Sequence, residues 1–302
     1  MSRPYHVAVI GLGAMGMGAA RSCLRAGLTT YGIDLSEQAR SQLQQAGAAA
    51  VMADARPLAE TLDAVLLLVV NATQVRRILL GEEGLARHLK PGTAIMVSST
   101  IAAEEASALA AELAQLGLPM LDAPVSGGAI KADAGEMTVM AAGSDAAFDK
   151  LAPVLDAVAG KVYRVGSEPG QGSTVKIIHQ LLAGVHIAVA AEAMALASRA
   201  GVSLDLMYDV VTHAAGNSWM FENRMPRVLA GDYQARSSVD IFVKDLTLVA
   251  DTAKTLRFPL PLASTALNMF LDASNAGHGQ EDDSAVIKTF SGITLPGQED
   301  QP

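Results

Sequence analysis

The fold is decided by one stretch near the start of the chain, Val7-Ala8-Val9-Ile10-Gly11-Leu12-Gly13-Ala14-Met15-Gly16. Its apolar, β-branched first half predicts a buried strand. The segment that follows, up to Ala26, predicts a helix that Gly27 ends. A glycine-rich turn between a strand and a helix is typical of the doubly wound α/β domain.

The three glycines of this turn meet the physical needs of a dinucleotide. Gly11 permits a tight turn, Gly13 lets the backbone approach a pyrophosphate, and Gly16 lets helix and strand pack closely. Met15 belongs to the first helical turn, whose N–H groups would face the phosphates. We therefore predict a dinucleotide site rather than an ordinary glycine turn.

Asp34 decides which dinucleotide we expect. It follows the next predicted strand, Thr29 to Ile33, and its carboxylate can accept hydrogen bonds from both ribose hydroxyls of the adenosine. The same charge would repel a 2′-phosphate, so the sequence predicts NAD rather than NADP.

Five further strands are predicted in this half, at residues 63–70, 93–97, 120–123, 136–141 and 161–165. Because polar residues at the carboxyl ends of parallel strands line the ligand crevice, Asn71 and Thr100 are candidates to contact the nicotinamide half of the cofactor. Capping of the next helix is the alternative role for Ser99 and Thr100. After the strand at residues 120–123, Ser126, Gly127 and Gly128 offer a hydroxyl and backbone N–H groups, which predict an anion cradle suited to a carboxylate.

A lysine marks the middle of the chain. The segment Gly170-Gln171-Gly172-Ser173-Thr174-Val175-Lys176-Ile177-Ile178-His179-Gln180 opens a predicted helix that runs to about Arg199. Lys176 and His179 are three residues apart, so they share a helix face. A lysine among Ile, Leu, Val and Ala either reaches the surface or serves a function.

The second half contains no convincing strand. Its helical patterns cover residues 174–199, 203–214, 220–229, 239–255 and 261–276, with a last short helix at 282–290 and a polar tail at 296–302 that we expect to fray. We therefore predict an α/β Rossmann domain over residues 1–166 and an all-α domain over residues 167–302, joined by the long helix.

The composition narrows the possible functions. The chain has 302 residues and a net charge of −9, which argues against nucleic-acid binding. Its single cysteine, Cys23, is expected to be buried and fits a reducing compartment. We see no signal peptide, and we interpret the apolar helix after Lys176 as a core helix rather than a membrane span, so we expect a cytoplasmic protein. The histidines have no spacing that predicts a metal site.

Four motifs in order resemble the β-hydroxyacid dehydrogenase family: the Gly11 to Gly16 turn, Asp122-Ala123-Pro124-Val125-Ser126-Gly127-Gly128, Gly170-x-Gly172-x-x-x-Lys176, and Lys244-Asp245-Leu246. The resemblance covers essentially the whole chain and implies NAD-dependent oxidation of a small hydroxy acid. A base must take the hydroxyl proton as hydride leaves, and Lys176 is the candidate.

The resemblance also implies roles for two further residues. Lys244 would reach back to the cofactor or substrate, although a surface salt bridge with Asp240 or Asp251 is an alternative. His179 stands where most members have an asparagine that hydrogen-bonds the substrate. It could bind an extra substrate hydroxyl, adjust the protonation of Lys176, or simply replace the asparagine as a donor.

A site with more hydrogen-bonding groups favours a polyhydroxy substrate. The run Lys176-Ile177-Ile178-His179-Gln180, followed by Leu181-Leu182-Ala183-Gly184-Val185-His186, resembles one branch of the family, and this resemblance implies oxidation of the four-carbon sugar acid L-threonate to 2-dehydro-L-erythronate. The alternatives are 3-hydroxyisobutyrate oxidation, reduction of tartronate or succinic semialdehyde, and dinucleotide binding without turnover. The amount of apolar helix in the second half also predicts a homodimer or homotetramer.

Overall fold

The computed structural model describes residues 3–296. The chain forms two compact units, residues 1–176 and 177–302. The predicted boundary between residues 166 and 167 stays a prediction, and all but the first residue of the polar tail lies outside the described residues.

The first unit is built on a nine-stranded sheet. Its strands are β1 His6–Ile10, β2 Thr29–Ile33, β3 Ala50–Met52, β4 Ala64–Leu67, β5 Ala94–Val97, β6 Met120–Asp122, β7 Val125–Ser126, β8 Met137–Ala142 and β9 Ala159–Gly166. The first six strands are parallel, in the order β3-β2-β1-β4-β5-β6. This order is that of the doubly wound dinucleotide-binding fold, as predicted. The sheet continues with β8, which runs antiparallel to β6 and β7 and parallel to β9.

Between residues 3 and 166, the α-helices of the first unit are α1 Ala14–Arg25, α2 Glu37–Gln45, α3 Ala72–Leu80, α4 Ala103–Gln115, α5 Gly128–Ala134 and α6 Asp145–Val158. Burial explains why the central strands are almost wholly apolar. In β1, Val7 and Val9 belong to one hydrophobic cluster, whereas Ala8 and Ile10 belong to another. Since successive strand residues point to opposite faces, both faces of the sheet are covered. Cys23 on α1 is buried, as predicted, and burial raises the pKa of its thiol to about 12.

The second unit is helical, as predicted. It holds most of α7 Gln171–Arg199, then α8 Leu204–Thr212, α9 Trp219–Leu229, α10 Val239–Leu256 and α11 Pro261–Ala273, and a short 3₁₀ helix, Asp283–Thr289. Buried ion pairs of Arg224 with Asp283 and of Arg227 with Asp282 join α9 to the 3₁₀ segment.

Helix α7 lies at the centre of this unit. Its Ile187, Ala191 and Met194 pack in one cluster with apolar residues of α9, α10 and α11. A Cβ at Gly184 would lie 2.8 Å from the Leu246 side chain, so α7 and α10 approach closely there. Among residues 3–296, α7 is the one helix long and apolar enough to cross a membrane, and half of its most apolar window is buried. Its place in the cluster marks it as a core helix.

Candidate active site

The glycine turn leaves the first turn of α1 open to a ligand. Gly13 is the N-cap of α1 and no side chain caps the helix, so the first N–H groups lack intrahelical acceptors. A Cβ at Gly11 would lie 2.6 Å from the Leu68 carbonyl oxygen, whereas a Cβ at Gly13 would meet no protein atom within 4 Å. Gly11 is therefore required by the fold. Gly13 leaves open space at the N-terminus of α1, where the positive end of the helix dipole fits a pyrophosphate.

Asp34 adjoins this turn. Its carboxylate accepts hydrogen bonds from the backbone N–H groups of Leu12, at 2.6 Å, and Ser36, at 2.7 Å. Asp34 also lines a cavity of about 500 Å³ together with Gly11 and Gly13. Arg56, a basic residue of the lining, is paired with two acids, Asp54 and Glu83. The Asp34 carboxylate itself favours a nucleoside with free ribose hydroxyls over one with an added phosphate.

The polar residues after β4 and β5 have different local roles. Asn71 is the N-cap of α3 and accepts a hydrogen bond from the N–H of Gln74 at 2.9 Å. The capping alternative for Ser99 and Thr100 is wrong, because α4 begins at Ala103 and Ala102 is its N-cap. The hydroxyls of Ser98 and Ser99 are buried, and neither has a hydrogen-bond partner among residues 3–296. Hydrogen-bonding capacity is therefore available at the carboxyl end of β5.

The stretch predicted as a free glycine turn is partly regular structure. Ser126 ends the short strand β7, where it pairs with Thr138, and Gly128 begins α5. Only Gly127, with φ of 129°, forms the turn between them. The strand was missed because two residues show no periodicity, and its pairing with β8 holds Ser126 in place. The hydroxyl and the glycine backbone still stand together at a strand end.

Asp122 positions the start of α7. This fully buried carboxylate, at the end of β6, accepts hydrogen bonds from the N–H groups of Gly170 and Ser173, at 2.7 and 2.8 Å, and from the Ser173 hydroxyl at 2.7 Å. Burial raises the pKa of Asp122, and the hydrogen bonds from Ser173 and Gly170 oppose that rise. Lys176 lies three residues after Ser173 and is only 6% exposed. The carboxylate therefore caps the helix turn that carries the lysine.

The second unit holds His179 and Lys244, and two buried side chains connect them. His179 Nδ1 lies 3.0 Å from Gln180 Oε1, and Gln180 Nε2 donates to Asp245 Oδ2 at 2.5 Å. Lys244 Nζ lies 2.6 Å from Asp245 Oδ1. We call these four residues the α7–α10 network.

The salt-bridge alternative for Lys244 named Asp240 or Asp251, and the ion pair that the structure shows is with another aspartate. Lys244 pairs with its chain neighbour Asp245. Asp240 instead accepts hydrogen bonds from Ser274 and Gln280. Since Asp245 is buried and contacts both α7 and Lys244, it orients a lysine that is largely covered.

The predicted site residues thus form three groups. Gly11, Gly13 and Asp34 share one cavity, and Met15 and Gly16 lie in the adjoining first turn of α1. Ser126, Gly127 and Gly128 follow β6, whose Asp122 caps the Lys176 turn. His179 and Lys244 are joined through Gln180 and Asp245. No group of three or more His, Cys, Asp or Glu side chains that could hold a metal occurs in the part of the chain that the structure describes.

Sequence reasoning missed Asp122, Gln180 and Asp245 as site residues, although each stands inside a quoted motif. The sequence did indicate the two aspartates, because each lies in an apolar stretch. A carboxylate buried there needs hydrogen-bond donors from elsewhere in the chain. The hydrogen-bond donors Gly170 and Gln180 lie 48 and 65 residues away from Asp122 and Asp245, so the pattern alone could not identify them.

We expect Asp122→Ala to lower the free energy of unfolding by about 2–4 kcal/mol, because it leaves buried N–H groups without an acceptor. Ser173→Ala removes only the hydroxyl and should cost about 1 kcal/mol. Urea unfolding measures both values, and hydrogen exchange should speed up at residues 170–176 in the Asp122 variant. Equal losses in the two variants would contradict the capping role.

Asp34→Ala should lower the ratio of the NADP dissociation constant to the NAD dissociation constant by about 10-fold or more. Most of this change should come from weaker NAD binding. The ribose hydroxyls lose a charged acceptor, and a 2′-phosphate loses a repulsive neighbour. Titration calorimetry with each dinucleotide measures the ratio. Asp34→Asn is the matched control, since it keeps an acceptor for the Leu12 N–H. An unaltered protein that binds NADP as tightly as NAD would refute the assignment.

Comparison with known proteins identifies the family. The family model described as the NAD binding domain of 6-phosphogluconate dehydrogenase matches residues 6–166. A second, described as NAD-binding of NADP-dependent 3-hydroxyisobutyrate dehydrogenase, matches residues 170–290.

Full-length relatives agree with this result. The chain is 72% identical to L-threonate dehydrogenase of Escherichia coli O6:H1, over 97% of each chain, and 55% identical to L-threonate dehydrogenase of Cupriavidus necator, over 99% of each. A crystal structure described as 3-hydroxyisobutyrate dehydrogenase from Salmonella typhimurium is 69% identical, with a TM-score of 0.92 over 95% of this chain and 100% of that one. The chain therefore belongs to the NAD-dependent hydroxyacid dehydrogenases of the 3-hydroxyisobutyrate dehydrogenase type, which act on the CH–OH group of small hydroxy acids.

Proposed function

We propose that this protein oxidises L-threonate to 2-dehydro-L-erythronate with NAD, and that Lys176 is the general acid–base. The observation that carries the proposal is the full-length likeness to relatives named L-threonate dehydrogenase, at 55–72% identity. The combination of Lys176 and His179 on one helix face supports the same substrate, because it offers polar groups to an acid with several hydroxyls.

The names of the relatives point to two substrates. A structure at 69% identity is described as 3-hydroxyisobutyrate dehydrogenase, although sequences of similar identity are named for L-threonate. The two acids differ in the number of hydroxyl groups: 3-hydroxyisobutyrate has one, and L-threonate has three. His179 favours L-threonate, because its imidazole adds a polar group that can hydrogen-bond a hydroxyl which 3-hydroxyisobutyrate lacks.

NAD⁺, when bound, supplies the hydride acceptor. The glycine turn at Gly11 and Gly13 would hold its pyrophosphate at the start of α1, and Asp34 would hold the adenosine ribose. Asn71 and Thr100, after β4 and β5, would contact its nicotinamide half. Lys244 would also contact the cofactor, as the family resemblance implies.

Lys176 would accept the proton of the reacting hydroxyl as the C–H bond breaks. In the reductive direction the protonated lysine would return that proton to the carbonyl oxygen. A lysine serves as a base at neutral pH only where its surroundings favour the neutral amine, and burial acts in that direction. The cap by Asp122 would hold the lysine-bearing turn in register with the substrate.

Ser126, Gly127 and Gly128 would bind the substrate carboxylate. The Ser126 hydroxyl and backbone N–H groups can donate to both oxygens, and β7 holds the serine rigidly against β8. A fixed carboxylate would also fix the position of the carbinol carbon relative to the lysine. Holding the reacting groups in one geometry lowers the barrier of the reaction.

We also infer a homodimer or homotetramer that works in the cytoplasm. Large apolar side chains are exposed along α7 and α8: Ile178, Leu182, Val189, Leu196, Leu206 and Val210. Exposed apolar faces of this kind are common where subunits meet. The single buried thiol, Cys23, is compatible with a reducing compartment.

Initial rates with L-threonate, 3-hydroxyisobutyrate, glycerate and succinic semialdehyde, each with the NAD and NADP couples, test the substrate. We expect kcat/KM to be highest for L-threonate with NAD, by about 10-fold or more over the mono-hydroxy acid, because one unmatched polar group costs about that much. No turnover of L-threonate would refute the proposed substrate.

Replacing Lys176 tests the acid–base assignment. Lys176→Ala should lower kcat by at least ~100-fold while NAD binding, followed by calorimetry, is retained. Lys254→Ala changes an exposed lysine of α10 and should leave both quantities unchanged. Normal turnover by the Lys176 variant would exclude the lysine as the acid–base.

A further inference from the structure

The cradle at residues 126–128 is followed by a lysine whose side chain folds back over it. Lys131 lies on α5, four residues after Gly127, and helical side chains lean toward the N-terminal end of their helix. A Cβ at Gly127 would lie 2.8 Å from Cβ, 3.3 Å from Cγ and 3.0 Å from Cδ of Lys131. A side chain extended away from the glycine would place Cδ much farther from it than Cβ. The Lys131 stem therefore runs across Gly127, and its ammonium group is within reach of a ligand held there.

The packing of α5 on α1 determines the side of the helix on which this lysine lies. Ala132 is fully buried, and its carbonyl oxygen accepts a hydrogen bond from Ser22 Oγ at 3.0 Å. A Cβ at Gly18 of α1 would lie 2.5 Å from the backbone nitrogen of Asp133, so the two helices approach closely. This contact sets the rotation of α5 about its axis. Lys131, the neighbour of the buried alanine, is exposed on the other side.

The charge of Lys131 is not neutralised by an acid of its own helix. Asp133 is the one acid of α5, and its carboxylate lies 3.5 Å from Arg21 Nη1. Within residues 3–296, Lys131 has no carboxylate as an ion-pair partner. The chain as a whole has a net charge of −9, which repels an anionic substrate. A cation beside the binding stretch would offset that repulsion locally.

We propose that Lys131 is a substrate-binding residue, whose ammonium group pairs with the substrate carboxylate at residues 126–128 and thereby selects hydroxy acids over uncharged hydroxy compounds. An ammonium–carboxylate pair is a charge-assisted hydrogen bond, which is stronger than the neutral hydrogen bonds that backbone N–H groups supply alone. The proposal rests on the proposed function in one respect, namely that the substrate carboxylate binds at residues 126–128.

Steady-state rates separate the charge of Lys131 from its stem. Lys131→Met keeps an apolar stem over Gly127 and removes the charge. We expect KM for the hydroxy acid to rise about 10-fold or more and kcat to change less than about 3-fold, because the ion pair exists in both the ground state and the transition state. Lys131→Arg keeps a cation and should hold KM within about 3-fold of the unaltered protein. Lys161→Met, which changes an exposed lysine of β9, is the matched control and should leave both constants unchanged.

Selection by charge is measured with the hydroxy acid and its primary amide, which keeps every hydroxyl and lacks the negative charge. The ratio of kcat/KM for the acid to that for the amide should fall about 10-fold or more in Lys131→Met and stay constant in Lys161→Met. An unchanged KM for the acid in Lys131→Met would overturn the proposal. So would an equal rise of KM for the acid and the amide, because only the stem would then matter.

The choice of acid separates this proposal from the proposed function. The measurements use whichever of L-threonate, 3-hydroxyisobutyrate and glycerate has the highest kcat/KM, and each of them carries a carboxylate. If that acid is not L-threonate, the proposed substrate fails and the test of Lys131 is unaffected. If it is L-threonate and Lys131→Met acts equally on acid and amide, the proposed function stands and the role of Lys131 is refuted. If none of the acids is oxidised, both proposals fail.

Discussion

The contact of the Asp122 carboxylate with the start of α7 is the constraint on which the rest of the active-site arrangement depends. It joins the carboxyl end of a buried strand to the backbone N–H groups of Gly170 and Ser173, one helical turn before Lys176. A buried carboxylate without these donors would be costly, and so would the buried N–H groups without the carboxylate. Each side therefore requires the other. Because β7 begins three residues after Asp122, the same strand end positions both the proposed carboxylate-binding stretch and the start of the lysine-bearing helix.

A second buried aspartate acts on the same helix within the other unit. Asp245 accepts from Gln180 and pairs with Lys244, so the side chain beside His179 is held by a partner on α10. Both aspartates accept hydrogen bonds from residues at or near α7, but the donors are different kinds of group. Asp122 binds backbone N–H groups and therefore sets the position of the helix. Asp245 binds a side-chain amide and therefore sets the orientation of the amide.

Much of the fold could be predicted because burial leaves a strong pattern. The strand at 63–70 was predicted from its continuous apolar run, and β4 lies inside it, covered on both faces of the sheet. The strands β3 and β7 were missed, since three and two residues are too few to show a period. The cradle was predicted as a turn from its two glycines, and the pairing of Ser126 with Thr138 makes its first half a strand. The family resemblance was predicted from motifs, and the comparisons confirm it.

The sequence by itself determined the class of protein: a dinucleotide domain, a helical domain, and a lysine and a histidine three residues apart on one helix. These follow from local spacing, because glycine turns, strand ends and helix faces depend on neighbours in the chain. Only the tertiary structure decided which groups hold those side chains. The acceptor for the Ser173 turn lies 51 residues away, and the partner of Gln180 lies 65 residues away. Residues so far apart along the chain meet only when the chain is folded, so local sequence patterns cannot show which donor meets which acceptor.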